Sequence, residues 1–231
     1  MAAAAAWGAF GDVIASFPAP ANNARALGYA GGYLYCYAGT SPYRIYRINP
    51  ANGSVVSSFV SAAGSDTYGL EWDGTYLDFG ANSANRVYRA TNAGSVASSF
   101  ACSHIDNGLT WDGANFWVTD ADSHFWRVNT SGSVLASFTT AFDAYDPAFA
   151  GNYLIVGSHN PSHRLYKLTT AGSVVASTAA PANFPWGATF DGTYLWVTTT
   201  TGTDRIWKLG AGPVWTDVQP ASLGRVKALY R

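Results

Sequence analysis

Glu71 is the one glutamate in a chain of 231 residues, and it stands inside the apolar run Gly69-Leu-Glu-Trp-Asp-Gly74. Burial disfavours the charged form of a carboxyl group, and a raised pKa is what a general base or acid working near neutrality needs. The competing reading is structural: Glu71 holds a water molecule or pairs with Arg25.

A second set of residues gains its interest from position. Arg25, Tyr68, Asn107, Tyr145 and Trp186 each precede a small, mostly apolar segment that recurs along the chain. Five equivalent places carry hydrogen-bonding side chains of four kinds. The place occupied by Trp72, Trp111, Phe149 and Phe190 instead repeats one kind of residue. A varied aromatic and polar set suits a small polar ligand, a peptide end or a sugar. It equally suits residues that only plug a narrow channel, and both readings stand.

Asp120 and Asp122 form an Asp-x-Asp-Ser run, with His104 and Asp106 in the loop expected beside it. Oxygen-rich loops bind calcium, but the glycine and distal glutamate of a calcium loop are missing. His124 falls at a repeated basic position and reads as structural. His159 and His163 bracket a proline turn, where a three-residue spacer does not put two imidazoles on one face as a helix would. There is no nucleophile elbow and no glycine-rich phosphate loop. Cys36 and Cys102 are too few for a disulfide framework or a structural zinc site. No cofactor is expected.

The elements that position these residues come from an internal repeat. A glycine that opens a strand recurs at Gly11, Gly53, Gly94, Gly132 and Gly172, at steps of 42, 41, 38 and 40 residues. A turn glycine recurs at Gly31, Gly74, Gly113, Gly151 and Gly192. A third marker runs Arg44-Ile-Tyr-Arg-Ile48, Arg86-Val-Tyr-Arg-Ala90, His124-Phe-Trp-Arg-Val128, Arg164-Leu-Tyr-Lys-Leu168 and Arg205-Ile-Trp-Lys-Leu209. Each unit resolves into four short alternating segments rich in β-branched and aromatic residues and bounded by turn residues. Units of about 40 residues with four strands are the signature of propeller blades.

The expected fold is therefore all-β, a five-bladed β-propeller of four-stranded antiparallel blades starting near residues 25, 68, 107, 145 and 186. The chain opens on an orphan fourth strand, residues 11–17, and its last full unit stops after a third strand at Leu209. Closing the ring with the N-terminal strand joins the two and removes open edges between the terminal blades. Residues 1–10 then read as a leader remnant or disordered start, and residues 210–231 as a tail, an extra strand or an assembly segment. The loops joining a fourth strand to the next blade, such as 60–67 and 179–185, are long and differ in every blade, which is where a rigid scaffold carries its binding residues.

Composition narrows the partners. Basic and acidic residues number 13 and 14, a net charge of −1, which gives no long-range attraction to nucleic acid or an anionic membrane. Nine of the 13 basic residues are fixed repeat positions spread around the ring, placed to cover aromatic neighbours and pair with turn carboxylates such as Asp73, Asp112 and Asp191. No run is long and apolar enough for a spanning helix. The weakly charged surface of Ala, Ser, Thr and Gly points to an exported protein, extracellular or at the cell surface.

The pattern resembles bacterial secreted propellers carrying Gly-Leu-x-Trp-Asp-Gly and Arg-Ile-Tyr-Arg-Ile motifs. Gly69–Gly74 and Gly108–Gly113 are the clearest instances, and the resemblance covers residues 11 to about 209. Among named families the chain is most similar to the five-bladed glutaminyl cyclotransferase type. That resemblance implies a catalytic strand glutamate in a Phe-Glu-Ser-Thr-Gly type segment. The matching segment here is Tyr35-Cys36-Tyr37-Ala38-Gly39, with cysteine in the glutamate's place. Asp78, the nearest strand acid, is one pleat step off in another blade and expected on the other face.

The expectation is a secreted, non-catalytic propeller that binds a ligand or self-assembles through its C-terminal tail into oligomers or filaments. A cyclotransferase- or lyase-like enzyme at the channel mouth is the first alternative. A carbohydrate-binding propeller lectin is the second, and it would require five similar pockets.

Overall fold

The computed structural model describes residues 8–214. Twenty strands form five four-stranded antiparallel sheets. Blade 1 is β2 (Ala24–Ala30), β3 (Tyr33–Ala38), β4 (Arg44–Ile48) and β5 (Val55–Val60). Blade 2 is β6 (Thr67–Trp72), β7 (Leu77–Ala81), β8 (Arg86–Ala90) and β9 (Val96–Ala101). Blade 3 is β10 (Gly108–Trp111), β11 (Phe116–Thr119), β12 (His124–Val128) and β13 (Val134–Thr139). Blade 4 is β14 (Ala148–Ala150), β15 (Tyr153–Ser158), β16 (Arg164–Thr169) and β17 (Val174–Ala179). Blade 5 is β18 (Pro185–Phe190), β19 (Tyr194–Thr199) and β20 (Arg205–Gly210), completed by β1 (Val13–Pro18).

The expected closure is found. β1 pairs antiparallel with β20, with Phe17 opposite Ile206 and Pro18 opposite Arg205. Both chain ends lend more than the strand. Gly11 donates to the Gly210 carbonyl at 2.9 Å, Gly212 donates to that of Gly8 at 3.3 Å, and Phe10 packs on the apolar cluster between blades 4 and 5. The expectation of unplaced segments therefore gives way at residues 8–10 and 210–214. Gly210 ends β20, and Ala211 and Val214 are buried. The extra strand expected at 212–218 is not formed over 212–214, and the rest of it lies outside the described residues.

The first strands of the blades line the axis, and the core divides into five clusters, one at each seam between blades. The fourth strands form the rim. Their outer faces expose aliphatic residues, Val13 and Ile14, Val55 and Val56, Val134 and Leu135, Val174 and Val175. Their inward phenylalanines lock one blade to the next. A Cβ on Gly53 would stand 2.6 Å from the Phe17 ring and one on Gly94 2.3 Å from that of Phe59. The repeated strand-opening glycine is thus required twice, by its positive φ and by the neighbouring ring.

The turns between first and second strands differ in detail from a two-residue Asp-Gly loop. Asp73 pairs with Tyr76 through its amide, so the loop proper is Gly74-Thr75, and only the glycine has positive φ. The aspartate precedes the loop and caps it. Its Oδ1 accepts the amides of Thr75 and Tyr76 at 2.7 and 2.6 Å, and Asp112 and Asp191 do the same in their blades. Cys36 lies in the seam between blades 5 and 1, Cys102 in that between blades 2 and 3, and both are free thiols.

Candidate functional site

Connections alternate between the two ends of an antiparallel blade. One end of the ring carries the links from second to third strands and from blade to blade; the other carries the tight turns. The five residues at the blade starts, Arg25, Tyr68, Asn107, Tyr145 and Trp186, all sit at the first end and all are partly buried. They do not form an even circle. Arg25, Tyr145 and Trp186, from blades 1, 4 and 5, come together, whereas Asn107 turns to backbone. Its side-chain amide donates to the carbonyls of Asp120 and Ala144, both at 3.0 Å.

Trp186 anchors the group. Its indole N–H donates to Thr200 Oγ1 at 2.9 Å, the Arg25 guanidinium lies 5.1 Å from its ring centre, and Tyr145 meets it edge-on at 4.5 Å. Arg25 is held by Asn23, whose Oδ1 accepts its Nε–H at 2.6 Å. His159 stacks on Tyr145 at 3.8 Å and meets Trp186 edge-on at 4.8 Å. Burial pushes the His159 imidazole below its ordinary pKa, so it is neutral at neutral pH. Phe184 stands over His159 and His163, at 5.1 and 4.6 Å. It is 43% exposed and has a φ of +53°, a strained conformation for a bulky residue.

Below this nest the axis is closed. Asp146 is buried, and its carboxylate accepts the amides of Leu27 at 3.3 Å, Leu109 at 3.1 Å, and Leu70. Its own amide donates to the Trp186 carbonyl. One side chain thus ties together the first strands of blades 1, 2 and 3 while its backbone holds blade 5. The other blades carry Ala26, Gly69, Gly108 and Gly187 at this place. A Cβ on Gly108 would stand 2.2 Å from Asp146 Cα. Sequence reasoning overlooked Asp146, although an acid in a column of glycine and alanine was a readable signal. His159 and Phe184 were undervalued for another reason: loop packing does not repeat.

Glu71 does not join the mouth. It lies three residues beyond Tyr68, roughly 10 Å along the strand, toward the opposite end. It points into the seam between blades 2 and 3, where Oε2 accepts the Thr110 hydroxyl at 2.7 Å and Oε1 accepts the Trp72 amide at 2.9 Å. Thr110 Oγ1 in turn accepts the Phe149 amide. Arg25 is not its partner. Burial pushes the Glu71 carboxyl up to about 7.

The residue facing Glu71 across the hairpin is Asp78. Asp78 is fully buried and pushed up to about 8, first by burial and then by the Glu71 charge. Arg89 pulls the other way, donating to Asp78 Oδ1 at 3.1 Å and bridging to Asp73. Asp78 Oδ2 is buried without a partner, so burial prevails.

Asp120 is committed to its own loop. Oδ1 accepts the amides of Asp122 and His124 and contacts the His124 ring, and Oδ2 accepts the Trp126 indole N–H at 2.8 Å. Asp122 is exposed beside it. Among the described residues no three His, Cys, Asp or Glu side chains converge as a group able to hold a metal ion. No described helix is long and apolar enough to cross a membrane.

By sequence, no family model and no curated protein matches the chain. By structure the likeness is to propellers. Glutaminyl cyclase of Myxococcus xanthus superposes with a TM-score of 0.72 at 12% identity, over 85% of this chain and 94% of that one. A streptogramin B lyase gives 0.50 at 14% identity, over 84% and 72%. The WD40 propeller domain of Doa1 gives 0.50 at 15% identity, over 78% and 62%. At such identities the likeness is one of fold, and the chain is a five-bladed β-propeller that distantly resembles the glutaminyl cyclotransferase type.

Proposed function

We propose that the protein is a non-catalytic binding module, exported from the cell, whose ligand sits on the aromatic nest of Arg25, Tyr145, Trp186, His159 and Phe184. The observation that carries this reading is Phe184, an aromatic ring held exposed in a strained backbone conformation beside four other stacking groups. Strain of this kind costs on the order of 1–3 kcal/mol and persists where the surroundings require it. With Asp146 filling the axis, the nest is a shallow platform, suited to stacking a sugar ring or a peptide end beneath the Arg25 guanidinium.

The test is a titration with short neutral oligosaccharides and short peptides, followed through the Trp186 indole resonance. At least one class should shift it, and Phe184→Ala should abolish the shift while the fold is kept. If no member of either panel moves Trp186, the reading falls.

The enzyme reading draws on the likeness to a glutaminyl cyclase. Two observations weigh against it. Cys36, at the place of the implied catalytic glutamate, is buried at a seam, where its thiol is far too weakly acidic to serve as a base. Glu71 is remote from the mouth. No ammonia release is expected from a peptide with N-terminal glutamine, and turnover would overturn the non-catalytic reading. Five equal lectin pockets find no support either, because the seams are differently filled. Arg–Asp pairs lie in blades 2 and 3, and the chain's own residues 211–214 lie against blade 4.

A further inference from the structure

Each blade places one cation at the same point of its third strand: Arg47, Arg89, Arg127, Lys167 and Lys208. Four lie against the tyrosine that starts or precedes the second strand, Tyr33, Tyr76, Tyr153 and Tyr194. What completes each cation differs. Arg89 and Arg127 meet carboxylates, Asp73 with Asp78 in one blade and Asp112 in the other. Lys167 is buried and donates to the backbone carbonyls of Ala211 and Pro213. Lys208 has neither. Its ammonium lies 3.7 Å from the centre of Tyr194 and 5.5 Å from that of Trp196, with no hydrogen-bond or ion-pair partner among the described residues.

The surroundings of Lys167 and Lys208 correspond residue for residue. Tyr153 matches Tyr194, Asn152 matches Thr193, Phe190 matches Tyr29, and Ile155 matches Trp196. Beside Lys167 the place is filled by the segment 211–214, whose Gly212 has a positive φ. Its carbonyls take the ammonium, Val214 packs in the cluster that holds Ile155, and the Val214 carbonyl accepts the Asn152 amide at 3.1 Å. Beside Lys208 the counterparts of Ala211 and Gly212 are Pro50 and Ala51, after which the chain turns into β5, and past them lies an open groove of about 280 Å³, lined with these two by Tyr29, Asp191, Trp196 and Lys208. That is near the lower end of the size of ligand pockets, enough for two or three residues of peptide.

We infer that this groove, between blades 5 and 1 on the end of the ring opposite the aromatic nest, binds an extended peptide segment of a partner protein, with a backbone carbonyl on the Lys208 ammonium. The charge in the groove favours a peptide over a free anion. Asp191 stands beside Lys208 and makes the groove neutral as a whole. Its carboxylate accepts the Thr193 and Tyr194 amides and the Trp196 indole N–H, which leaves about one of its four acceptor sites open. An ammonium and one free carboxylate acceptor match a peptide's C=O and N–H. A carboxylate ligand would be attracted by one wall and repelled by the other. Besides those substitutions, two differences from the filled counterpart bear on hydrogen bonding: Asp191 replaces Ala150, and the Thr193 amide is turned to Asp191. Both make Lys208 the principal donor to an incoming carbonyl.

The experiment uses the full chain and a capped pentapeptide with the sequence of residues 210–214, Gly-Ala-Gly-Pro-Val, at concentrations up to about 5 mM, the range of a weak single-segment contact. Chemical shifts of the Trp196 indole N–H and the Lys208 ammonium are followed, with acetate as a separate titrant. Saturable shifts at both groups with the peptide, and none with acetate, support the inference. Lys208→Met should then weaken binding about tenfold, the weight of one hydrogen bond to a charged group. Trp186→Ala, on the other end of the ring, should leave it unchanged. Acetate saturating the same groups, shifts that survive Lys208→Met, or no shift at all would each overturn it. None of these results depends on whether the aromatic nest binds a ligand.

Discussion

Glu71 and Asp78 face each other across the β6–β7 hairpin, two carboxyl groups on one side of one sheet. Arg89 is the one cation bonded to either of them among the described residues. Burial raises both, to about 7 and about 8, and the Glu71 charge adds to the shift of Asp78, above the values of an unfolded chain near 4. The folded protein therefore binds protons that the unfolded chain releases. Their stabilising contribution is complete below about pH 4 and is lost as pH rises through 7 to 8. Urea midpoints should fall between pH 5 and pH 9, with a loss of unfolding free energy on the order of 5 kcal/mol. Glu71→Gln should flatten the profile and raise the midpoint at pH 9. A wild-type midpoint independent of pH over this range would remove the pair from the account.

Asp146 makes a second prediction. Its carboxyl group serves amides of three blades from a buried place. Asp146→Asn turns one acceptor into a donor facing a backbone N–H, and Asp146→Ala leaves all three amides unpaired. Each should destabilise the domain by about 2–4 kcal/mol, the penalty for unsatisfied buried groups. A melting temperature within a degree or so of wild type for both variants would show that the axis tolerates the loss.

Ring closure makes a third. β1 supplies the whole fourth strand of blade 5, and its Phe17 packs on Trp196 at 6.0 Å and beneath Gly53. Removing residues 1–18 would expose β20 as an open edge and empty the seam between blades 5 and 1. Loss of cooperative unfolding, or a fall in melting temperature of about 10 °C or more, is expected. Retention of the wild-type curve would mean that closure by this strand is dispensable.

The fold was legible because a ring imposes the same demands five times. The strand-opening glycines answer a contact made in several blades, such as Phe17 on Gly53 and Phe59 on Gly94, and the turn glycines answer a positive φ that recurs in every blade. The same repetition explains the reading of Glu71 as a singular residue, although not its location. Glu71 and Asp78 are equidistant from the Asp73–Tyr76 turn, and that symmetry alone would have paired them. The aromatic nest was half legible. Arg25, Tyr145 and Trp186 stood out as exceptions to a repeat, whereas His159 and Phe184 enter from loops whose paths no periodic pattern encodes. The filling of the axis by Asp146 depends on three strands meeting one side chain, a relation with no local trace beyond an acid among glycines.

Assembly is the last prediction. Among the described residues the outer strands β1, β5, β9, β13 and β17 each have one edge without a strand partner, and most present paired aliphatics there, Val55 at 49% and Val174 at 50% exposure among them. Such edges accept another strand readily, and little charge guards these. Residues 211–214 already show that the chain's end packs on its own ring, with Ala211 and Val214 buried. Residues 215–231, which lie outside the described residues, add Val218, Leu223 and the basic apolar run Arg225–Arg231. If this segment joins copies by strand addition, the full chain should give a mass above that of the monomer in light scattering, rising with concentration, and a chain ending at Val214 should be monomeric. Truncation at Val214 is the right cut, because a shorter chain would also strip the partners of Lys167. Val55→Lys with Val174→Lys should restore the monomer in the full chain if those edges receive the segment. A full chain that stays monomeric at high concentration rules out assembly through the tail and leaves the ring as a single binding module.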